Sequence, residues 1–243
     1  MPENHFDEAV AAGYDASTSD EFRPDVIERT VAFLAELAGS GAALELGIGT
    51  GRIALPLSER GVRVHGIDLS PAMVARLRAK PGADAIDVTI GDFATTVVDG
   101  SFALAYLVYN TIANLTTQDE QVACFQNAAR HLEPGGCFVI EVTVPELQRL
   151  PPGETARVFA FSPGHVGVDE IDVVTQRSAS HHYWVGDGRS GTFSTPFRYV
   201  WPSELDLMAR LAGMTLRERW GGWDRQPFTA DSRSHVSVCE KPR

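Results

Sequence analysis

A chain of 243 residues, 44% apolar and 22% charged, is long enough for one α/β domain with an elaboration and a sizeable core. Its formal charge of −11 is uneven, since residues 1–28 hold eight acids against one arginine, and no Lys/Arg-rich run marks a nucleic-acid surface. The longest apolar run, residues 102–109, is too short to span a bilayer, and the acidic, polar start does not read as a secretory leader. Cys124, Cys137 and Cys239 form no C-x-x-C and no zinc-like spacing with the seven histidines, which predicts buried free thiols and no metal. These features predict a cytoplasmic chain with neither a nucleic-acid nor a membrane partner. Nothing in the sequence specifies an oligomeric state.

Residues 6–24, with Tyr14, Phe22 and Arg23, read as irregular, and residues 25–38 place apolar side chains at helical spacing before Gly39. Strand and helix then alternate. A strand over 42–46 precedes a helix around 51–60, and a strand over 62–67 precedes a helix starting at Ser70-Pro71, a serine before proline at the first helical position. A strand over 86–90 leads into Gly91-Asp92-Phe93. The almost wholly apolar run 102–108 reads as a central strand buried on both faces. A helix over 118–132 is predicted to stop at Glu133-Pro134-Gly135-Gly136, before a strand over 137–142. Five strands with intervening helices predict a doubly wound parallel sheet. The pattern breaks between 150 and 200, where β-branched and aromatic runs at 157–161, 172–176, 179–185 and 192–200 predict an antiparallel insertion. Asp187-Gly188 and Ser190-Gly191 sit between its last two strands, as in a hairpin. A helix over 203–212 and strands near 214–220 and 235–240 close the chain.

Within this frame residues 44–52 read Leu-Glu-Leu-Gly-Ile-Gly-Thr-Gly-Arg, and a second strand ends at Gly66-Ile67-Asp68. Glycines in such a turn let the backbone approach a ligand and adopt positive φ, and an acid at the end of the second strand can take the hydroxyls of a ribose. A dinucleotide fingerprint has its third glycine five residues after the first; here the glycines are 47, 49 and 51, and position 52 is Arg. The spacing resembles motif I (E/D-x-G-x-G-x-G) of the class I S-adenosylmethionine-dependent methyltransferases. The resemblance covers roughly residues 42–142, and the final helix and two strands fit the end of that fold. It implies a seven-stranded Rossmann-like sheet of order 3-2-1-4-5-7-6 with strand 7 antiparallel. The expected division is 1–149 for the N-terminal segment and cofactor-binding part, 150–200 for a substrate cap, and 201–243 for the helix and hairpin that complete the domain.

The resemblance also implies roles. Glu45 matches the acid that helps fix the methionine ammonium, Gly47, Gly49 and Gly51 the turn beneath the cofactor, and Asp68 the ribose acid. Leu69 and Met73 fall where apolar groups cover the adenine, Asp92 and Phe93 where its amino group and edge are received. Tyr109 and Asn110 lie at the mouth of the site. S-adenosyl-L-methionine is the expected donor, S-adenosyl-L-homocysteine the product, and a small-molecule metabolite the acceptor, methylated on N, O or C.

In-line methyl transfer depends on alignment, and a base is needed only where the acceptor must shed a proton. His181 and His182, adjacent on a predicted strand, point to opposite faces, so at most one looks into a pocket. Tyr14 is a candidate for the cofactor carboxylate. Arg23, Asn110, Glu141, Arg198, Tyr199 and Trp201 are candidates for the acceptor, and Trp220-Gly221-Gly222-Trp223 for a lip or sheet edge. Two alternatives stand beside this: a nicotinamide-dependent oxidoreductase, weakened by Arg52 and by the lack of a Tyr-x-x-x-Lys pair, and a non-catalytic cofactor-binding module.

Overall fold

The computed structural model describes residues 4–16, 19–186 and 189–243. The first helix, α1 (Glu8–Gly13), lies inside the stretch expected to be irregular; Asp7 caps it, its carboxylate accepting from the Val10 N–H at 3.0 Å. Six residues are too few to show a periodicity. Helix α2 (Pro24–Ala38) begins with proline in its first turn and stops at Gly39. Next come β1 (Ala43–Leu46), α3 (Ala54–Glu59), β2 (Val64–Asp68), α4 (Pro71–Arg78), β3 (Asp87–Ile90) and β4 (Phe102–Leu107). The Ser70 hydroxyl accepts from Met73 N–H and caps α4 as its sequence predicts. Helix α5 (Gln118–His131) opens on a reciprocal capping box between Thr117 and Glu120.

Strand β5 (Leu132–Thr143) starts five residues earlier than expected. Glu133-Pro134-Gly135-Gly136 does not precede the strand but forms an irregular stretch within it, where pairing to β4 shifts register between Phe102 and Leu104. The Gly135 N–H donates to Lys241 O at 2.8 Å, so the C-terminal segment occupies the gap.

After β5 come β6 (Ala156–Ser162), β7 (His165–Ile171), β8 (Arg177–Gly186) and β9 (Arg189–Arg198), then α6 (Pro202–Leu211), β10 (Thr215–Trp220) and β11 (Ser234–Glu240). Residues 172–176, expected as a strand, are a turn between β7 and β8. Asp172 accepts from Val174 N–H at 2.9 Å and from the Thr175 hydroxyl, and Gln176 takes φ +61°. The strand that pairs there lies seven residues upstream. Asp187 and Gly188, expected as hairpin turn residues, fall outside the described residues.

Seven strands form one sheet in the order β3-β2-β1-β4-β5-β11-β10. The first five run parallel; β11 is antiparallel to β5 and β10 to β11. This is the expected order, with β10 and β11 as its sixth and seventh members. The helices cover both faces. Phe125 and Ala128 of α5, with Leu205 and Met208 of α6, bury one side, while Val31 and Leu34 of α2 and Leu57 of α3 bury the other. Strands β6–β9 form a separate antiparallel sheet.

Candidate active site

The parallel strands all end on one side, and a cavity of about 710 Å³ opens there, between the turn after β1 and the inner face of the β6–β9 sheet. Gly47 and Gly49 line it at φ +76° and +56°. A Cβ on Gly47 would stand 2.8 Å from Thr111 Cγ2, so the turn has no room for a side chain. The turn is tied to the second strand: Gly47 N–H donates to Ile67 O, and Gly49 N–H donates to Asp68 Oδ2 at 2.7 Å. Asp68 Oδ1 accepts from Ser70 N–H at 2.8 Å, which fixes the carboxylate plane at the cavity wall. Burial raises its pKa above the ordinary aspartate value, against the pull of those two amides. Leu69, Met73, Asp92 and Phe93 continue this wall.

Two residues expected to hold the cofactor stand behind the turn. Gly51 does not reach the cavity; a Cβ there would meet Leu77 Cδ1 at 2.9 Å, so its need is packing of α4. Glu45, 3% exposed, points beneath the turn and accepts from the Tyr106 O–H at 2.9 Å. Burial pushes its carboxyl up to about 8.

The mouth of the site is strained. Tyr109 and Asn110 both adopt left-handed backbone, at φ +57° and +56°, and both line the cavity. Glu141 holds them there: its Oε2 accepts from Tyr109 N–H at 2.8 Å, its carbonyl from Asn110 N–H, and its Oε1 from Trp223 Nε1–H at 2.7 Å. The expectation that Glu141 meets the acceptor is therefore corrected: it does not line the cavity, and its carboxylate braces Tyr109 and Trp223 from behind the mouth.

The N-terminal segment forms one side of the cavity. Phe6, Val10 and Tyr14 face into it, and burial raises the Tyr14 phenol, keeping it a neutral donor. Arg52 pins the segment: its guanidinium lies 5.1 Å from both the Phe22 and Tyr109 ring centroids and donates to Glu21 O at 2.6 Å. Asp15 accepts from the Thr50 hydroxyl at 2.6 Å and pairs with Lys80 at 2.7 Å, and Ser70 Oγ donates to Phe6 O. Arg23 is corrected: it is exposed, bound to Asp20 and Asp25, and away from the cavity.

The inner face of the second sheet is the roof. His182 lines the cavity, with Nδ1 3.0 Å from His165 Nε2 and Phe159 edge-on at 5.3 Å. Burial and the neighbouring His165 lower its pKa, so it is neutral near pH 7. His181 faces the opposite way, to Ser194 Oγ at 2.8 Å and Glu170 at 3.5 Å, which corrects its candidacy as a catalytic group. Arg198 is corrected as well. At 3% exposure it is sealed in a network with Gln121 (2.5 Å), Gln176 (2.9 Å) and Glu204 (2.9 Å), joining β9 to α5 and α6. Tyr199 lines the cavity, whereas Trp201 stands outside it, edge-on to Tyr199. Trp223 is buried against Phe33 rather than forming a lip. The period-two alternation of the roof strands was the available signal for Asp169, Ser180, Phe193 and Thr195, which also line the cavity.

Residues 43–136 match the methyltransferase domain family. Cypemycin N-terminal methyltransferase from Streptomyces sp is 30% identical over 203 residues, which is 82% of each chain. The solved structure of the CcbJ methyltransferase from Streptomyces caelestis is 35% identical, covers all of both chains and superposes with a TM-score of 0.88. CalS10, an amino pentose methyltransferase from Micromonospora echinaspora solved with S-adenosylmethionine bound, shares the fold at TM-score 0.70 over 99% of each chain and 22% identity. Fold, site and similarity together define a methyl-transferring enzyme on a Rossmann-like sheet. The chain belongs to the class I S-adenosylmethionine-dependent methyltransferases. It uses S-adenosylmethionine as cofactor, and the oxidoreductase alternative is set aside. Among the described residues no helix is long and apolar enough to cross a membrane.

Proposed function

We propose that this enzyme methylates an amine nitrogen of a small-molecule acceptor held between the glycine turn and the β6–β9 sheet, with that sheet acting as the substrate cap. The observation that carries this reading is the continuity of one cavity from Gly47 and Asp68 to His182. The cofactor supplies a methyl group on a sulfonium, already activated for in-line displacement. The residues present fit it: a turn whose glycines leave no room for side chains, a carboxylate fixed by two amides, and an apolar wall from Leu69, Met73 and Phe93. In this reading Asp68 holds the ribose hydroxyls, Asp92 and Phe93 the adenine, and Tyr14 and Tyr109 the methionine end. Glu45 acts from beneath the turn rather than by contact.

Asn110 and Tyr199 border the acceptor. An amine protonated in solution must lose its proton before attack. His182 is the cavity-lining group suited to take it. Its ring is neutral near pH 7, and with Nδ1 engaged by His165, Nε2 has no protein partner among the described residues. The relative named as the cypemycin N-terminal methyltransferase, at 30% identity, supports nitrogen as the accepting atom. The three unpaired cysteines, all buried, accord with a reducing compartment such as the cytoplasm.

The test is transfer of label from S-adenosyl-[methyl-³H]methionine into a metabolite extract, with the product located by mass spectrometry. An N-methyl product is expected, and His182→Asn should lower kcat more than tenfold while leaving S-adenosylhomocysteine affinity unchanged. Label on oxygen or carbon, or full turnover by His182→Asn, contradicts the proposal.

A further inference from the structure

Four cavity-lining residues of the roof stand at one level of its four strands, and the first, Arg157 of β6, in register with Asp169, is paired with Glu146 at 2.5 Å. Asp169 of β7 is in register with Ser180 of β8, and Ser180 with Thr195 of β9. The Ser180 hydroxyl donates to Asp169 Oδ1, leaving Asp169 Oδ2 without a hydrogen-bond partner among the described residues. Thr195 Oγ1 is buried and likewise has none. A buried hydroxyl left unmade is unfavourable, and a bound molecule that completes it recovers that loss.

The levels on either side are different in kind. One carries His182 and Phe193, the other Ile171 and Phe197 with Ser178 between them, and of these only His182 brings a polar group to the cavity lining. Neighbouring strands lie about 4.8 Å apart, which puts Asp169 and Thr195 roughly 10 Å from each other. That matches a six-membered ring with a hydroxyl at each end, each reaching its protein partner by one hydrogen bond. A saturated ring also has C–H faces to lay against phenylalanine, which a flat or linear amine would use without satisfying the row.

We propose that Asp169, Ser180 and Thr195 form a specificity site for the hydroxyl groups of a saturated, polyhydroxylated ring in the acceptor, an amino sugar or an aminocyclitol. The inference rests on the reading of this cavity as the methyl-transfer site.

It is tested on the full chain saturated with S-adenosylhomocysteine, by titration followed in ligand-observed NMR. The probes are the methyl glycoside of glucosamine, cyclohexylamine as the same ring without hydroxyls, and triglycine amide as a linear amine. The glycoside is expected to bind at least tenfold more tightly than cyclohexylamine. Thr195→Val and Asp169→Asn should each reduce that preference about fivefold, with S-adenosylhomocysteine affinity within twofold of the parent. Thr195→Val removes a hydroxyl that has no partner, so it stays folded even where Asp169→Asn does not. Equal binding of glycoside and cyclohexylamine, a preference untouched by Thr195→Val, or tighter binding of triglycine amide overturns the inference. Failure of S-adenosylhomocysteine itself to bind overturns the methyl-transfer reading beneath it, and the inference with it.

Discussion

Single residues in this enzyme are set by burial that their local sequence does not announce, and His235 shows the energetic consequence. It is fully buried on β11, its Nδ1 is 2.9 Å from Ser237 Oγ, and its Nε2 has no hydrogen-bond partner among the described residues. Burial, reinforced by nearby Arg219, holds its pKa down to about 4. The folded-state value is depressed, so its contribution to stability is present above the unfolded value near 6.5 and is lost as pH falls towards 4. A difference of this size is worth about 3 kcal/mol. Urea unfolding at a series of pH values should show this acid limb, and His235→Leu should flatten it. An equally steep limb in the variant would show that other groups cause it. Arg198 makes the same point about legibility. A cation ending a roof strand reads as a ligand for substrate, but Glu204 of one helix neutralises it and Gln121 of another encloses it. Nothing local to position 198 carries that information.

At the scale of elements, the nucleotide half was readable because its signals are local. Apolar strands, the Gly47–Gly51 turn, Asp68 and the Ser70-Pro71 start each announce themselves within a few residues. The insertion was readable only as β-rich. Val173-Val174-Thr175 has strand composition, yet Asp172 folds back on that segment and makes it a turn, while β7 is interrupted by Gly167 and two acids. The N-terminal segment was the least legible, since its position comes from contacts and not from periodicity. Arg52, whose side chain marked a departure from the dinucleotide pattern, pins the end of that segment at Glu21 and Phe22, while Asp15 and Phe6 tie down its start. Losing both ring contacts and the bond to Glu21 O removes on the order of 1–2 kcal/mol of closure. Arg52→Ala should therefore speed amide exchange around Glu21 and Phe22 and weaken S-adenosylhomocysteine binding about tenfold. Unchanged exchange in that segment would exclude the pin.

For the molecule as a whole, two sheets divide the work. The seven-stranded sheet brings the glycine turn, Asp68 and Asp92 to one edge, and the β6–β9 sheet closes the space above them with alternate residues of each strand. A doubly wound parallel sheet could be anticipated from alternating strands and helices, and its strand order from the resemblance carried by the Gly47–Gly51 turn and Asp68. The lining of the cavity roof could not, because which face of a β strand looks inward depends on register, and register is set between strands. The central claim is that the cavity wall at Asp68 holds the cofactor. Isothermal titration of the purified chain with S-adenosylhomocysteine tests it most directly: the account predicts one site with micromolar or tighter affinity, weakened at least a hundredfold in Asp68→Ala. Absence of binding by the folded parent chain, or undiminished affinity in Asp68→Ala, would contradict it.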